Sequence, residues 1–300
     1  MTDSPDYTEY VARPLSPSLR SKIVDAGRKV RRQVVYDGVM LPYALMRHRQ
    51  LLASSERTDS HTYTCFFRGP SQLQLLSGPI LDLVGRGERL EILLLACSNG
   101  AEAYTIASWL ITHAPDLDFR IRASDLHASM VSRAQEGQYS ASEVLHSPYM
   151  TPDFLESTFV PSGDGYRVRP EVRARVEFSQ ASLLDGPELL RQFGTASIVI
   201  AQNVLFHLDK ADAEVAFNGL VNLTAPGGVL MVEGMELDQR ERLSAAHGLD
   251  PITHNQRRIY METRIHTPPK WWNYYWGTEP YISLRQNSKR RYATAFQRLE

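Results

Sequence analysis

Cysteine is scarce in this 300-residue chain: Cys65 and Cys97 are the only two, and neither lies in a metal-ligand spacing. That scarcity argues against a disulfide framework and against a zinc site. An excess of one charge is missing too. Thirty-three basic residues face 34 acidic ones for a net charge of −1, so nothing global draws the chain to nucleic acid or a membrane surface. No apolar run approaches a membrane span, and the opening Met1-Thr-Asp-Ser-Pro-Asp6 is acidic and polar, unlike a secretory leader. A cytoplasmic protein is expected. Glycine is lacking where a dinucleotide-binding turn would need three, since only Gly100 is present there.

What is present is ordinary in bulk: 43% hydrophobic and 22% charged residues, enough for one large domain or a core with an appendage. The most informative stretch runs from Leu93 to Tyr104. A wholly apolar strand stops at the small-residue turn Ala96-Cys97-Ser98-Asn99-Gly100 and passes into an amphipathic segment, Ala103 to His113. A second strand, Phe119 to Ser124, then ends on Asp125. Strand, turn, helix, strand and terminal acid form the opening half of a nucleotide-binding doubly wound fold. The turn lets backbone N–H groups approach a ligand, and the acid takes the ribose hydroxyls. With one glycine a pyrophosphate cradle is disfavoured, and Glu102 puts negative charge where a phosphate would sit. That charge suits a cation. S-adenosylmethionine (SAM), which has no phosphate and carries a positive sulfur, is the expected cofactor; the plainer alternative is a strand–helix junction with Glu102 solvated.

Along the chain, residues 17–53 read as helical, with Arg28, Lys29, Arg31 and Arg32 forming a docking face or, more simply, a wet helix side. Ser71 to Val84 is a further helical piece. After Asp125 a helix is expected over Ala128–Glu136, then short helical pieces and a hairpin-like Gly163 to Val168. Arg175–Gln180 and Ala196–Asn203 read as strands, Lys210–Leu223 as a helix, Val229–Glu233 as a strand and Leu237–Gly248 as a helix. This alternation predicts a mostly parallel sheet with helices on both faces. An N-terminal helical region and cofactor-covering arm (1–85) is expected ahead of a SAM-binding, Rossmann-like catalytic domain with an aromatic-rich C-terminal extension (86–300). The aromatic run Trp271 to Trp276 is read equally as an active-site wall or a hydrophobic plug.

Several motifs, in order, resemble the CheR-type methyltransferases, SAM-dependent enzymes that esterify glutamates of chemotaxis receptors. Thr62-Tyr-Thr-Cys-Phe-Phe-Arg68 resembles the family's Asn-Leu-Thr-x-Phe-Phe-Arg, and Ala96 to Tyr104 its Gly-Cys-Ser-x-Gly-Glu-Glu-Pro-Tyr. Ala123-Ser-Asp125-Leu126 resembles Ala-Thr-Asp-Ile, Gly137-Gln-Tyr139 its Gly-x-Tyr, and Val176 to Leu184 its Val-x-Phe-x-x-x-Asn-Leu-Leu. Gln202-Asn203-Val-Leu-Phe-His207 resembles Arg-Asn-Val-x-Ile-Tyr. The resemblance implies a Rossmann-like class I SAM-dependent methyltransferase fold. It implies cofactor contacts at Thr64, Arg68, Ala96, Ser98, Gly100, Glu102, Asp125, Leu126, Ser182, Leu183 and Asn203.

The departures bear on the acceptor. Gln202 and His207 stand where the receptor enzymes have the arginine and tyrosine of the reacting centre. The family's receptor-docking hairpin subdomain is not recognisable after Gly234, and no pentapeptide-binding module follows Glu236. A methyltransferase acting on a small molecule or peptide is therefore expected, with His207, Asn203 and Tyr139 as candidate catalytic residues; the alternative for His207 is packing. Two other functions are carried: a cyclase converting SAM into azetidine-2-carboxylate and methylthioadenosine, and a non-catalytic SAM-binding sensor or partner subunit. The oligomeric state is left open.

Overall fold

The computed structural model describes residues 64–85, 89–147, 149–265, 281 and 283–299. The expected helical region 17–53 and the Trp271–Trp276 cluster lie outside the described residues.

A seven-stranded sheet forms the centre, in the order β6-β2-β1-β7-β8-β10-β9. Its strands are β1 (Leu90–Leu95), β2 (Phe119–Asp125), β6 (Val176–Gln180), β7 (Ala196–Gln202), β8 (Thr224–Glu233), β9 (Asp250–Pro251) and β10 (Ala295–Gln297). The first five named pair in parallel; β10 runs antiparallel to both β8 and β9. The continuous apolar run of β1 follows from its central place. Ile92 and Leu94 enter the core on one face of the sheet, Leu93 and Leu95 the core on the other, and all four are buried.

The chain winds outward from β1 through β2 to β6, then returns to the other side of β1 as β7. Open α/β sheets place their ligand crevice at this reversal, beyond the carboxyl ends of the strands. The turn after β1, the acid ending β2 and the Gln202-Asn203 end of β7 all meet there.

Covering helices arise where apolar spacing and end signals agree. The helix Ala128–Glu136 ends at Gly137, whose φ of +61° suits glycine. The helix Lys210–Leu223 begins at Asp209, whose carboxylate accepts from the Asp212 N–H. Pro70–Leu75, a π-helical turn at Leu76–Ile80 containing Pro79, and Leu81–Val84 make up the expected Ser71–Val84 piece.

Two differences from the expected organisation stand out. Phe66, Phe67, Leu73, Leu75, Leu76, Ile80 and Leu81 share one core with β1 and β2. The described part of the arm, 64–84, therefore shares the core of the domain that follows it. Second, a hairpin-bearing subdomain is present, but upstream of where the resemblance led one to look. Strands β3 (Gln138–Ser140), β4 (Phe159–Ser162) and β5 (Gly165–Val168) form a separate antiparallel sheet, ordered β3-β5-β4. Among the described residues no helix is long and apolar enough to cross a membrane.

Candidate active site

The turn after β1 is a tight and strained piece of backbone. Ala96, Ser98 and Gly100 all have positive φ, at +58°, +50° and +86°. Non-glycine residues in this region cost about 1–3 kcal/mol each, so the surroundings must hold them there. They do. The Cys97 N–H donates to the Ser124 carbonyl (2.9 Å), and the Ser98 N–H to Asp125 Oδ2 (2.7 Å). From β3, the Tyr139 hydroxyl donates to the Asn99 carbonyl at 2.5 Å. Gly100 has a packing reason to lack a side chain: a Cβ would stand 2.9 Å from Ala134 Cβ and 3.0 Å from Phe178 Cζ.

Asp125 is buried, and its other oxygen accepts from the His127 N–H at 3.0 Å. A carboxylate has about four acceptor positions. The two backbone bonds therefore aim this group and leave capacity for a diol. Beside it Leu126 is unusually open for a leucine, 43% exposed, while its carbonyl accepts from Gln180. Ser182, just past β6, uses its hydroxyl to accept from the Leu184 N–H, and Leu183 packs against the core.

The arm crosses the same region. Phe66 packs edge-on against Tyr139 and Phe159, with centroids at 4.8 and 4.9 Å. Phe67, at φ +49°, stacks on Phe154 at 4.4 Å, and its N–H donates to Thr105 Oγ1. With both phenylalanines buried, Arg68 is left outward. Thr64 is half-buried at the start of the described arm.

Arg68 lines a cleft of about 390 Å³, open to solvent, together with Cys65, Gln72, Glu102, Thr105 and Gln202. Burial lifts Glu102 from 4.5 to about 7, against the pull of Arg68 and with a further push from Glu233. Glu233, ending β8, is also raised by desolvation, while Arg68, Arg240 and Gln72 favour its charged form. Gln72 Nε2 donates to Glu233 Oε2 at 2.6 Å. Glu233 is the register partner of Gln202 across β7 and β8.

Asn203 follows at φ +55°, its N–H donating to the Glu233 carbonyl at 2.9 Å. A 3₁₀ turn, Leu205–His207, then carries His207, whose ring lies 4.2 Å from that of Phe206. The cleft thus gathers Arg68 and Glu102, while Ala96, Ser98, Gly100 and Asp125 belong to the neighbouring turn. His207 is half-buried and is not in the cleft lining. Tyr139 stands apart from the role expected of it. It is buried, its hydroxyl is bonded to the turn, and desolvation raises its pKa well above the usual phenol value.

Sequence reasoning missed Gln72, Thr105 and Glu233. Glu233 had a usable signal: like Asp125, it is an acid closing an apolar strand. Gln72 had none beyond being a polar residue within an apolar helical stretch.

Residues 62–246 match the family model described as CheR methyltransferase, SAM binding domain. The chain belongs to the CheR methyltransferase family. Chemotaxis protein methyltransferase 2 of Vibrio cholerae is 32% identical over 182 residues, 58% of this chain and 61% of that protein. Chemotaxis protein methyltransferase 1 of Pseudomonas aeruginosa is 30% identical over 201 residues, 63% of this chain and 69% of that protein. The chain therefore spans about three fifths of the length of the Vibrio relative. The solved SAM-bound magnesium protoporphyrin IX methyltransferase of Synechocystis aligns loosely, over 79% of this chain and 89% of that one, at 16% identity and a TM-score of 0.36.

The donor set of this CheR-family chain fits SAM. The amino-acid end of SAM carries one ammonium and one carboxylate; the cleft offers the Glu102 carboxylate and the Arg68 guanidinium.

Proposed function

We propose that the chain is a SAM-dependent methyltransferase whose acceptor is a small molecule or a peptide rather than a receptor glutamate. The cofactor, when bound, supplies a methyl group activated by its positive sulfur. Arg68 is suited to hold a carboxylate through its planar pair of donors, and Glu102 to hold an ammonium. Asp125, already oriented by the Ser98 and His127 N–H groups, accepts from ribose hydroxyls. Ala96, Ser98 and Gly100 shape the backbone beside the ribose, and Leu126, Ser182 and Leu183 border the adenine. Thr64 extends the arm over the cofactor. Asn203 and His207, on the loop after β7, orient the acceptor, and the His207 imidazole is the side chain there whose chemistry suits proton transfer. Tyr139 keeps the turn in place through Asn99, a positioning role.

One observation carries the choice of acceptor. The end of β7 presents neutral Gln202 to the cleft, opposite the Glu233 carboxylate. Among the described cleft residues Arg68 is the only cation, and the cofactor's carboxylate uses it. A glutamate acceptor would thus meet carboxylates with no further side-chain cation of the described cleft to pair with it. The small antiparallel sheet at 138–168 is compatible with a peptide acceptor, which is why a peptide stays within the reading.

The test is mass spectrometry of the purified full chain with SAM, first alone, then with sets of uncharged, amine and carboxylate acceptors. S-adenosylhomocysteine together with a methylated uncharged or amine acceptor is the expected result. A methylated glutamate peptide would overturn the acceptor assignment. Methylthioadenosine formed over many turnovers from SAM alone would replace methyl transfer by intramolecular cyclisation.

A further inference from the structure

Next to the cleft, hydrogen-bonded to its lining residue Gln72, one carboxylate is unassigned. Glu102 and Arg68 match the ammonium and carboxylate of the cofactor's amino-acid end. Glu233 remains, at the carboxyl end of β8, with Gln72 Nε2 on one of its oxygens at 2.6 Å. A buried carboxylate is costly unless something offsets its lost hydration. Arg68, Arg240 and Gln72 all favour the charged form of Glu233, yet desolvation still outweighs them. Gln72 supplies one neutral donor, and Arg240 sits behind it, spending guanidinium donors on the Val232 carbonyl at 3.3 Å and the Arg291 carbonyl at 2.9 Å. Its register partner across the sheet is Gln202, a neutral side chain that lines the cleft.

A second role near the sulfonium is poorly suited to Glu233. Methyl transfer discharges the positive sulfur, so a carboxylate fixed against it would favour the ground state over the transition state. An attacking amine behaves in the opposite way: it gains positive charge as its new bond forms. A fixed carboxylate beside that nitrogen stabilises charge where it develops.

We propose that Glu233, with Gln72 and Gln202, forms the acceptor subsite and selects an amine. This rests on the SAM-dependent methyltransferase reading above and names its substrate class. The ammonium form of the acceptor docks on the Glu233 carboxylate and loses one proton through it to solvent, which leaves the amine neutral and Glu233 ionised before the methyl group moves. The neutral nitrogen's lone pair then forms the N–C bond to the methyl group as the C–S bond breaks, its electron pair staying on sulfur. The proton shed by the methylated nitrogen passes to Glu233 and on to solvent. Gln72 fixes the carboxylate's orientation, and Gln202 keeps the opposite strand end free of positive charge.

The test uses the full chain saturated with S-adenosylhomocysteine, so that the cofactor site is filled. n-Butylammonium and butyrate are then titrated by calorimetry into the wild type, Glu233→Gln and Gln202→Arg. The wild type should bind n-butylammonium saturably and ignore butyrate. Glu233→Gln should weaken the ammonium by about tenfold or more, in line with loss of a desolvated charge partner. Gln202→Arg should lose the ammonium and gain butyrate. Ammonium binding that is absent in the wild type, or equal in wild type and Glu233→Gln, overturns the proposal, as does wild-type preference for butyrate. S-adenosylhomocysteine binding by the wild type is read first: its failure would sink the underlying methyltransferase reading, whereas its success with unchanged ammonium affinity would sink the subsite alone.

Discussion

Glu102 occupies the first helical turn after Gly100, in a cleft it shares with a guanidinium and close to a second carboxylate. Desolvation lifts its pKa from 4.5 to about 7, so in that window the folded chain keeps a proton that the unfolded chain has released. Stability therefore falls as pH rises through the window, and Glu102→Gln should abolish that part of the decline in urea titrations at several pH values. SAM affinity should move the other way, because only the ionised carboxylate balances an ammonium. Calorimetry should find affinity rising with pH through about 7 in the wild type and a weak, flat profile in Glu102→Gln. Tyr139 gives a different kind of residue-scale prediction. Tyr139→Phe removes one buried hydrogen bond and leaves the Asn99 carbonyl unpaired, a loss of about 1–3 kcal/mol in unfolding free energy. With the turn loosened, KM for SAM should rise while kcat holds; a collapse of kcat would return the hydroxyl to the reacting centre.

The loop after β7 carries Asn203 and His207, proposed above to orient the acceptor, and a glycine on the next strand's exit sets its position. Gly234 has φ +70°, and a Cβ there would stand 2.5 Å from Asn203 Cα and 2.7 Å from Phe206 Cε1. Its carbonyl accepts from the Phe206 N–H at 2.8 Å. Gly234→Ala must push the Asn203–His207 loop away, costing about 2 kcal/mol or more from backbone strain and the clash. The denaturant midpoint should drop, and turnover should fall more than SAM affinity; an unchanged midpoint would show that the loop can yield without cost. At this scale the sequence was legible wherever periodicity and caps coincided. Ala128–Glu136 and Lys210–Leu223 lie where expected because Gly137 and Asp209 mark their ends. β3, β9 and β10 were not read with their true partners, because two or three residues carry no period and their pairing is made by distant chain. The Glu233–Gln72 bond spans 161 positions, and no local pattern announces it.

For the molecule as a whole, the strand order and the arm converge on one crevice. Reversal of the sheet at β1 brings together chain ends at Leu95, Asp125 and Gln202, and the two buried phenylalanines of the arm leave Arg68 over the opening. The strand–turn–helix–strand–acid run read from the sequence is present as elements, and the fold brings its turn and its acid to this crevice. The proposed acceptor end rests on a cross-strand partner and an arm helix that join only on folding. The central claim is that this crevice holds SAM through fixed charges, and Asp125 is its most isolated test. We would titrate SAM calorimetrically into the full chain and into Asp125→Ala. Binding by the wild type, weakened at least about a hundredfold in the variant, is predicted from the loss of charge-assisted bonds to two hydroxyls. A wild type that does not bind SAM, or a folded variant that binds it equally well, would contradict the account.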